Sequence, residues 1–99
     1  MYVIIWEYHV KVERVTEFEN IYGSTGTWAQ LFKKHPDYLG TELLRDLNET
    51  QRYITIDRWV SPEAYNSFQV KWQDEYKKLD ARCENSTDSE SFLGAFLLI

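Results

Sequence analysis

Thr55, Asp57 and Trp59 occupy alternate positions in a β-branched and aromatic stretch, Arg52 to Val60. If that stretch is extended, its two-residue period turns a hydroxyl, a carboxylate and an indole to one side. Glu7 and His9 show the same spacing near the start of the chain. Asp57 and His9 are therefore candidate bases, and Tyr22, Tyr65 and Trp59 candidate hydrogen-bond donors to a developing negative charge. Glu7 and Asp57 could form a pair of acids if they fall on neighbouring strands. Each residue also has a structural reading. Asp57 could pair with a basic residue across the sheet, and His9 could be a partly exposed hydrogen-bonding side chain. Trp59 and Tyr65 could be core, and Tyr22 and Trp28 could simply pack.

Other chemistries find no support in the residue pattern. Two histidines and one cysteine, far apart, give no zinc-ligand spacing, so no metal is expected. No glycine-rich loop follows a strand to hold phosphate, and no nucleophile elbow is present. Cys83, among charged residues late in a helical segment, reads as a plain surface or half-buried thiol. His35 precedes Pro36 at a helix end, where it suits the helix dipole. The net charge is −5, and the 11 Lys and Arg are scattered, which argues against nucleic acid and against an anionic membrane surface. The apolar runs are too short to span a bilayer and no charged-then-apolar leader is seen, so the cytoplasm is expected. Asn48-Glu49-Thr50 and Asn85-Ser86-Thr87 match the glycosylation triplet by chance on that reading.

The elements that would position these residues follow from periodicity. Tyr2–Val10 reads as a strand with Ile4, Trp6, Tyr8 and Val10 on one face and Val3, Ile5, Glu7 and His9 on the other. Glu13–Tyr22 switches to helical spacing, is interrupted by Gly23 and Gly26, and resumes through Trp28, Leu31 and Phe32 as one broken helix. Tyr38–Asp46 and Arg52–Val60 read as strands joined by the polar loop Leu47–Gln51. Ser61-Pro62-Glu63 is a helix start, with Ser as N-cap and Pro in the first turn. Tyr65, Phe68, Trp72, Tyr76 and Leu79 then form one continuous apolar seam. Glu84–Ser91 reads as a polar connection, and Phe92–Ile99 as the last strand.

The order β-α-β-β-α-β in 99 residues predicts a single α+β domain spanning the chain, a ferredoxin-like antiparallel four-stranded sheet with both helical regions on one face. The strands are nevertheless apolar on both faces, whereas a half-covered antiparallel sheet should alternate. Several hundred Å² of exposed apolar sheet would leave on the order of 10 kcal/mol of burial unused. A second copy of the same face is the simplest cover, so a homodimer through the sheet faces is expected. The 16% aromatic content is also large for so small a core, which implies a pocket or interface.

The stretches YVIIWEYHV, YGSTGTWAQLF, YLGTELLRD and, above all, RYITIDRWVSPEAYNSF resemble the antibiotic biosynthesis monooxygenase, or dimeric α/β-barrel, family. The resemblance covers most of the chain and implies a two-fold dimer with a pocket in each subunit between sheet and helices. Some members of the family oxidise fused-ring phenols to quinones with O₂ and neither metal nor flavin. Trp59 and Tyr65 match pocket-lining positions of such enzymes. Thr55 stands where they carry an Asn, and Arg82 is the one candidate for their basic pocket residue. Haem-degrading relatives use an Asn and a Trp where this chain has Glu7 and Phe68, and a helix His that is missing after His35, so a haem role is not expected. The resemblance thus implies a cofactor-independent monooxygenase acting on a small aromatic or polycyclic substrate. The base would be Asp57 or His9, with Tyr65 as donor and Trp59, Thr55, Glu7, Tyr22, Trp28 and Phe68 lining the pocket. The alternative is a non-catalytic dimeric module that binds a small hydrophobic molecule.

Overall fold

A computed structural model describes residues 1–99. Its elements run β1 (Tyr2–Val10), α1 (Val15–Tyr22), α2 (Thr27–Phe32), β2 (Tyr38–Arg45), β3 (Arg52–Trp59), α3 (Pro62–Lys71), α4 (Gln73–Cys83) and β4 (Thr87–Leu97). Single 3₁₀ turns, Val12–Arg14 and Glu84–Ser86, lead into α1 and β4. The strands form one antiparallel sheet in the order β2-β3-β1-β4, the ferredoxin-like arrangement the sequence implies.

Register fixes which side chains face the helices. Tyr2 pairs with Trp59, Ile4 with Asp57, Trp6 with Thr55 and Tyr8 with Tyr53. Directly paired residues share a face, so these eight side chains all lie on the helix side. Val10, Phe18, Tyr53, Trp59 and Phe68 are fully buried there and form the centre of the core. The intervening residues of β1 and β3 (Val3, Ile5, Glu7 and His9; Arg52, Ile54, Ile56 and Arg58) point to the uncovered side.

Local chemistry explains the element boundaries. Ser61 Oγ accepts from the Ala64 N–H at 3.1 Å, and Pro62 occupies the first turn, so α3 starts where the Ser-Pro-Glu signal puts it. Asp46 Oδ1 accepts from the N–H groups of Asn48 and Glu49, which closes the β2–β3 hairpin. The break between α1 and α2 depends on Gly26. A Cβ there would sit 2.6 Å from the carbonyl oxygens of Asn20 and Ile21, so only glycine admits this close approach.

Two boundaries differ from expectation. The helical region after Ser61 is two helices, because Trp72 (φ −110°, ψ 25°) leaves the helical conformation; nothing in the surrounding sequence marks the break. β4 begins at Thr87 rather than Phe92. Its first half is polar and carries no apolar signal, as an edge strand tolerates, yet it pairs with β1 from Val10 to Glu7. No helix is long and apolar enough to cross a membrane.

Candidate active site

Between the helix-side face of the sheet and the helices lies a cavity of about 140 Å³. The sheet supplies Trp6 and Tyr8 from β1, Thr41 from β2, Thr55 and Asp57 from β3, and Glu90 from β4. Tyr22, Trp28 and Phe32 close it from α1 and α2, and Tyr76 and Asp80 from α4. The aromatic walls interlock. Tyr8 and Tyr22 lie 5.0 Å apart between ring centroids, and Trp28 and Tyr76 meet edge to face at 5.0 Å.

Asp57 is the chemically distinctive group. It is partly buried, and its one protein hydrogen bond comes from Thr41 Oγ1 to Oδ1 at 2.6 Å. Thr41 is the direct cross-strand partner of Asp57 and lies 2.5 Å from the Tyr38 hydroxyl. Since Thr41 donates to Asp57, it accepts from Tyr38, which gives a Tyr38–Thr41–Asp57 relay across β2 and β3. Burial raises the Asp57 carboxyl from 3.8 to about 6, against the opposing effect of the Thr41 bond. No cationic side chain lines the cavity to reverse that shift. Burial likewise holds the phenols of Tyr8, Tyr22 and Tyr76 above their ordinary range, so they stay protonated and able to donate.

Two polar atoms in the cavity wall lack partners. Trp28 Nε1 and Thr55 Oγ1 are buried without a hydrogen bond. Leaving such groups unsatisfied costs roughly 1–3 kcal/mol each; both atoms lie beneath the cavity surface, so a guest reaches them only once those side chains turn.

Of the residues singled out from sequence, Asp57, Thr55, Tyr22 and Trp28 converge on this cavity. Glu7 and His9 do not. Both have the odd parity of β1 and lie on the uncovered face, where Glu7 takes a 2.6 Å bond from Arg52 and His9 sits 3.8 Å from Glu49. Glu7 and Asp57 therefore cannot act as paired acids. Trp59 and Phe68 are fully buried and pack behind the cavity without lining it. Tyr65 rests on Trp59, with ring centroids 5.3 Å apart, and its hydroxyl accepts from Gln69 Nε2 at 2.6 Å. It too lies outside the lining. Arg82 is exposed on α4 and contributes nothing to the wall. Cys83 is buried, not at the surface, and burial pushes its thiol up, which makes it a poor nucleophile.

Sequence reading passed over Trp6, Tyr8, Phe32, Thr41, Tyr76, Asp80 and Glu90. The register Tyr2↔Trp59 would have found Trp6 and Tyr8, because it assigns the even residues of β1 to the Asp57 face. Thr41 was hidden by an irregularity between Tyr38 and Gly40 that shifts the β2 register. Glu90 was hidden in what looked like a polar connection.

Solved structures with this fold include a mutant of SnoaB, a cofactor-independent oxygenase from Streptomyces nogalater. It is 18% identical, with a TM-score of 0.73, over 98% of this chain and 91% of that one. A mutant of MhuD with two manganese protoporphyrin IX bound per active site is 22% identical, with a TM-score of 0.70, over 100% of this chain and 95% of that one. PA3566 from Pseudomonas aeruginosa is 11% identical, with a TM-score of 0.70, over 99% and 93%. At these identities the likeness concerns the fold. No curated protein sequence matches the chain. The family model for antibiotic biosynthesis monooxygenase matches residues 1–82, and the chain belongs to that family.

Proposed function

We propose that this protein is a cofactor-independent monooxygenase that oxidises a small phenolic substrate with O₂, with Asp57 as the base. The observation that carries this reading is a carboxylate raised to about 6 at the wall of an aromatic cavity, its Oδ1 held by Thr41. A base of that pKa is largely ionised at neutral pH and still basic enough to accept a proton. Asp57 takes the phenolic proton through Oδ2, which no protein group bonds. The electron-rich phenolate reduces O₂ and forms a C–O bond at a ring carbon. Loss of that carbon's hydrogen then leaves a quinone carbonyl, and the second oxygen atom departs as water with one hydrogen from the hydroxyl and one from the ring. Trp28 Nε1 and Thr55 Oγ1, buried without protein partners, are the donors that a small turn of either side chain would bring to the substrate oxygens.

Volume bounds the substrate. About 140 Å³ is close to the roughly 150 Å³ cavity known to hold one benzene, so one ring enters fully and a fused-ring substrate must extend through the mouth. The lining does not suit a haem: the enclosed space is small for a porphyrin, and no histidine is present in it to hold the iron.

The assembly we propose is a homodimer through the uncovered sheet face. Val3, Ile5, Leu44, Ile54, Ile56 and Phe96 share that face by register, with Leu44 46% and Phe96 50% exposed. The ion pairs Arg58–Glu42 and Arg52–Glu7 flank this apolar centre, the core-and-rim composition of a protein interface.

The test is oxygen uptake by purified protein, free of metal and flavin, with a panel of naphthols, anthrone-type compounds and single-ring phenols. Consumption of one O₂ per product, reduced about 10²–10⁴-fold in Asp57→Asn, is expected for a lost general base. No uptake with any substrate, or an unaffected variant, would refute the reading. Tight binding of a phenol that is returned unaltered would identify a ligand-binding module instead.

A further inference from the structure

The carboxylates around the cavity have no ion-pair partners; Lys77 shares a separate outer pocket with Asp80 and does not line this space. Asp80 and Glu90 line its rim, and an adjoining open cavity of about 300 Å³ adds Glu84 and Asp88. No Lys, Arg or His lines either space, and none of these four acids takes part in an ion pair, although five arginine–carboxylate pairs form elsewhere on the chain. Partial burial and the nearby Asp80 also hold the Glu90 carboxyl above its usual range. Like charges gathered at one opening, each unpaired, set up a negative field that a low-dielectric aromatic wall focuses inward.

An acidic surface alone would mean little. Here it leads into a space whose wall holds Asp57 with Oδ2 bonded by no protein group, beside Thr55, only 3% exposed, and Trp28, only 8% exposed, each with a buried polar atom that has no partner. The walls behind the acids are the faces and edges of Trp6, Tyr8, Tyr22, Trp28 and Tyr76, and electron-rich rings attract cations as well as stacking on apolar rings. Acids at the rim, aromatic rings along the walls and hydrogen-bonding groups within are complementary to one class of molecule.

We propose that the site selects a phenol carrying an ammonium group, with the ring in the aromatic cavity and the cation held between Asp80 and Glu90 at the mouth, and that it rejects phenols bearing a carboxylate. The proposal deepens the functional reading above and rests on the same cavity, but it concerns binding and does not require turnover. A carboxylate substituent at the mouth would meet Asp80 and Glu90 with no cation lining the space to offset them. An ammonium group of the same length would meet both acids. Each exposed pair is worth up to about fivefold in affinity, so two rim acids give a preference of about tenfold over a neutral analogue and a comparable penalty for an anion.

The test is calorimetric titration under nitrogen, where no oxidation can occur, with tyramine, tyrosol and hydroxyphenylacetate, which share a ring and differ in charge. Binding in the order tyramine, tyrosol, hydroxyphenylacetate is expected, with about tenfold steps in low salt. At 0.5 M NaCl, where the Debye length is about 4 Å, the spread should shrink to about threefold. Asp80→Asn combined with Glu90→Gln should abolish the preference for tyramine. The salt titration on the unaltered chain stands as the independent measure should that variant fail to fold. Equal affinities, a spread insensitive to salt, or tightest binding of hydroxyphenylacetate would overturn the charge selection while leaving oxygen uptake with neutral phenols as the separate test of the enzyme. Failure of all three to bind would likewise overturn the charge selection.

Discussion

Asp57→Asn should stabilise the fold at neutral pH while removing activity. The Asp57 carboxyl is raised from 3.8 to about 6 because burial penalises its charged form. A carboxyl whose pKa is higher in the folded chain binds more protons there than in the unfolded chain across that window. Its contribution to stability is therefore fully present below pH 3.8 and is lost as pH rises through about 6. At about 1.36 kcal/mol per pKa unit, the full loss is about 3 kcal/mol. Contact with the open cavity screens part of the charge and reduces it to about 1–2 kcal/mol. Asparagine keeps the volume and an Oδ1 acceptor for Thr41, so it removes the charge without breaking the relay. Thermal unfolding at fixed protein concentration should show the variant higher by roughly 4–16 °C at pH 7.5. The two proteins should converge near pH 4, where the native carboxyl is already protonated. A variant less stable than the parent at pH 7.5, or a difference that does not change with pH, would show that Asp57 is not a charge held at a cost.

Thr41→Val removes the donor to Asp57 Oδ1 and should move the acidic limb of the activity–pH profile upward. A hydrogen bond to a charged group is worth about 1.5–3 kcal/mol, so the limb should rise by about 1–2 units, read from kcat/KM between pH 5 and 9. Ile54→Lys places a charge at the centre of the uncovered face and should give a monomer in sedimentation velocity at micromolar concentration, with the helix-side cavity retained. Gly94 has φ +152°, and a Cβ there would sit 2.8 Å from the Phe96 ring. Gly94→Ala should accordingly cost about 1–3 kcal/mol in urea unfolding and loosen the uncovered face by displacing Phe96.

The parts of the molecule legible in the sequence are those set by short-range rules. Period-two and period-four patterns located the four strands and the helical regions. The Ser61-Pro62-Glu63 signal located α3, and the Gly23–Gly26 interruption located the α1–α2 break. Apolar residues on both faces of Tyr2–Val10 implied a sheet with something to cover on each side. The parts that were not legible depend on long-range register. Choosing between the even and odd residues of β1 as pocket residues requires knowing that Ile4 lies opposite Asp57. A slip of one residue exchanges Trp6 and Tyr8 for Glu7 and His9, and no local feature of YVIIWEYHV decides it. Resemblance drew attention to Trp59 and Tyr65, whereas in this chain the cavity lies further along the sheet, at Thr55, Asp57 and Tyr8.

Parity along β3 also explains how one thin sheet carries two faces of different chemistry. Even residues Ile54, Ile56 and Arg58 face outward, where Arg52 and Arg58 each have a carboxylate partner. Odd residues Thr55, Asp57 and Trp59 face inward, where Asp57 meets only a threonine hydroxyl. The cations of β3 are thus all spent on the outer face, and the sheet cannot neutralise Asp57 through its own neighbours. Had the arginines occupied inward positions, an ion pair would have lowered the Asp57 carboxyl below its ordinary value and left a base too weak to take a phenolic proton. The basicity of Asp57 therefore follows from the alternation of β3 together with the aromatic content of the helices that cover it.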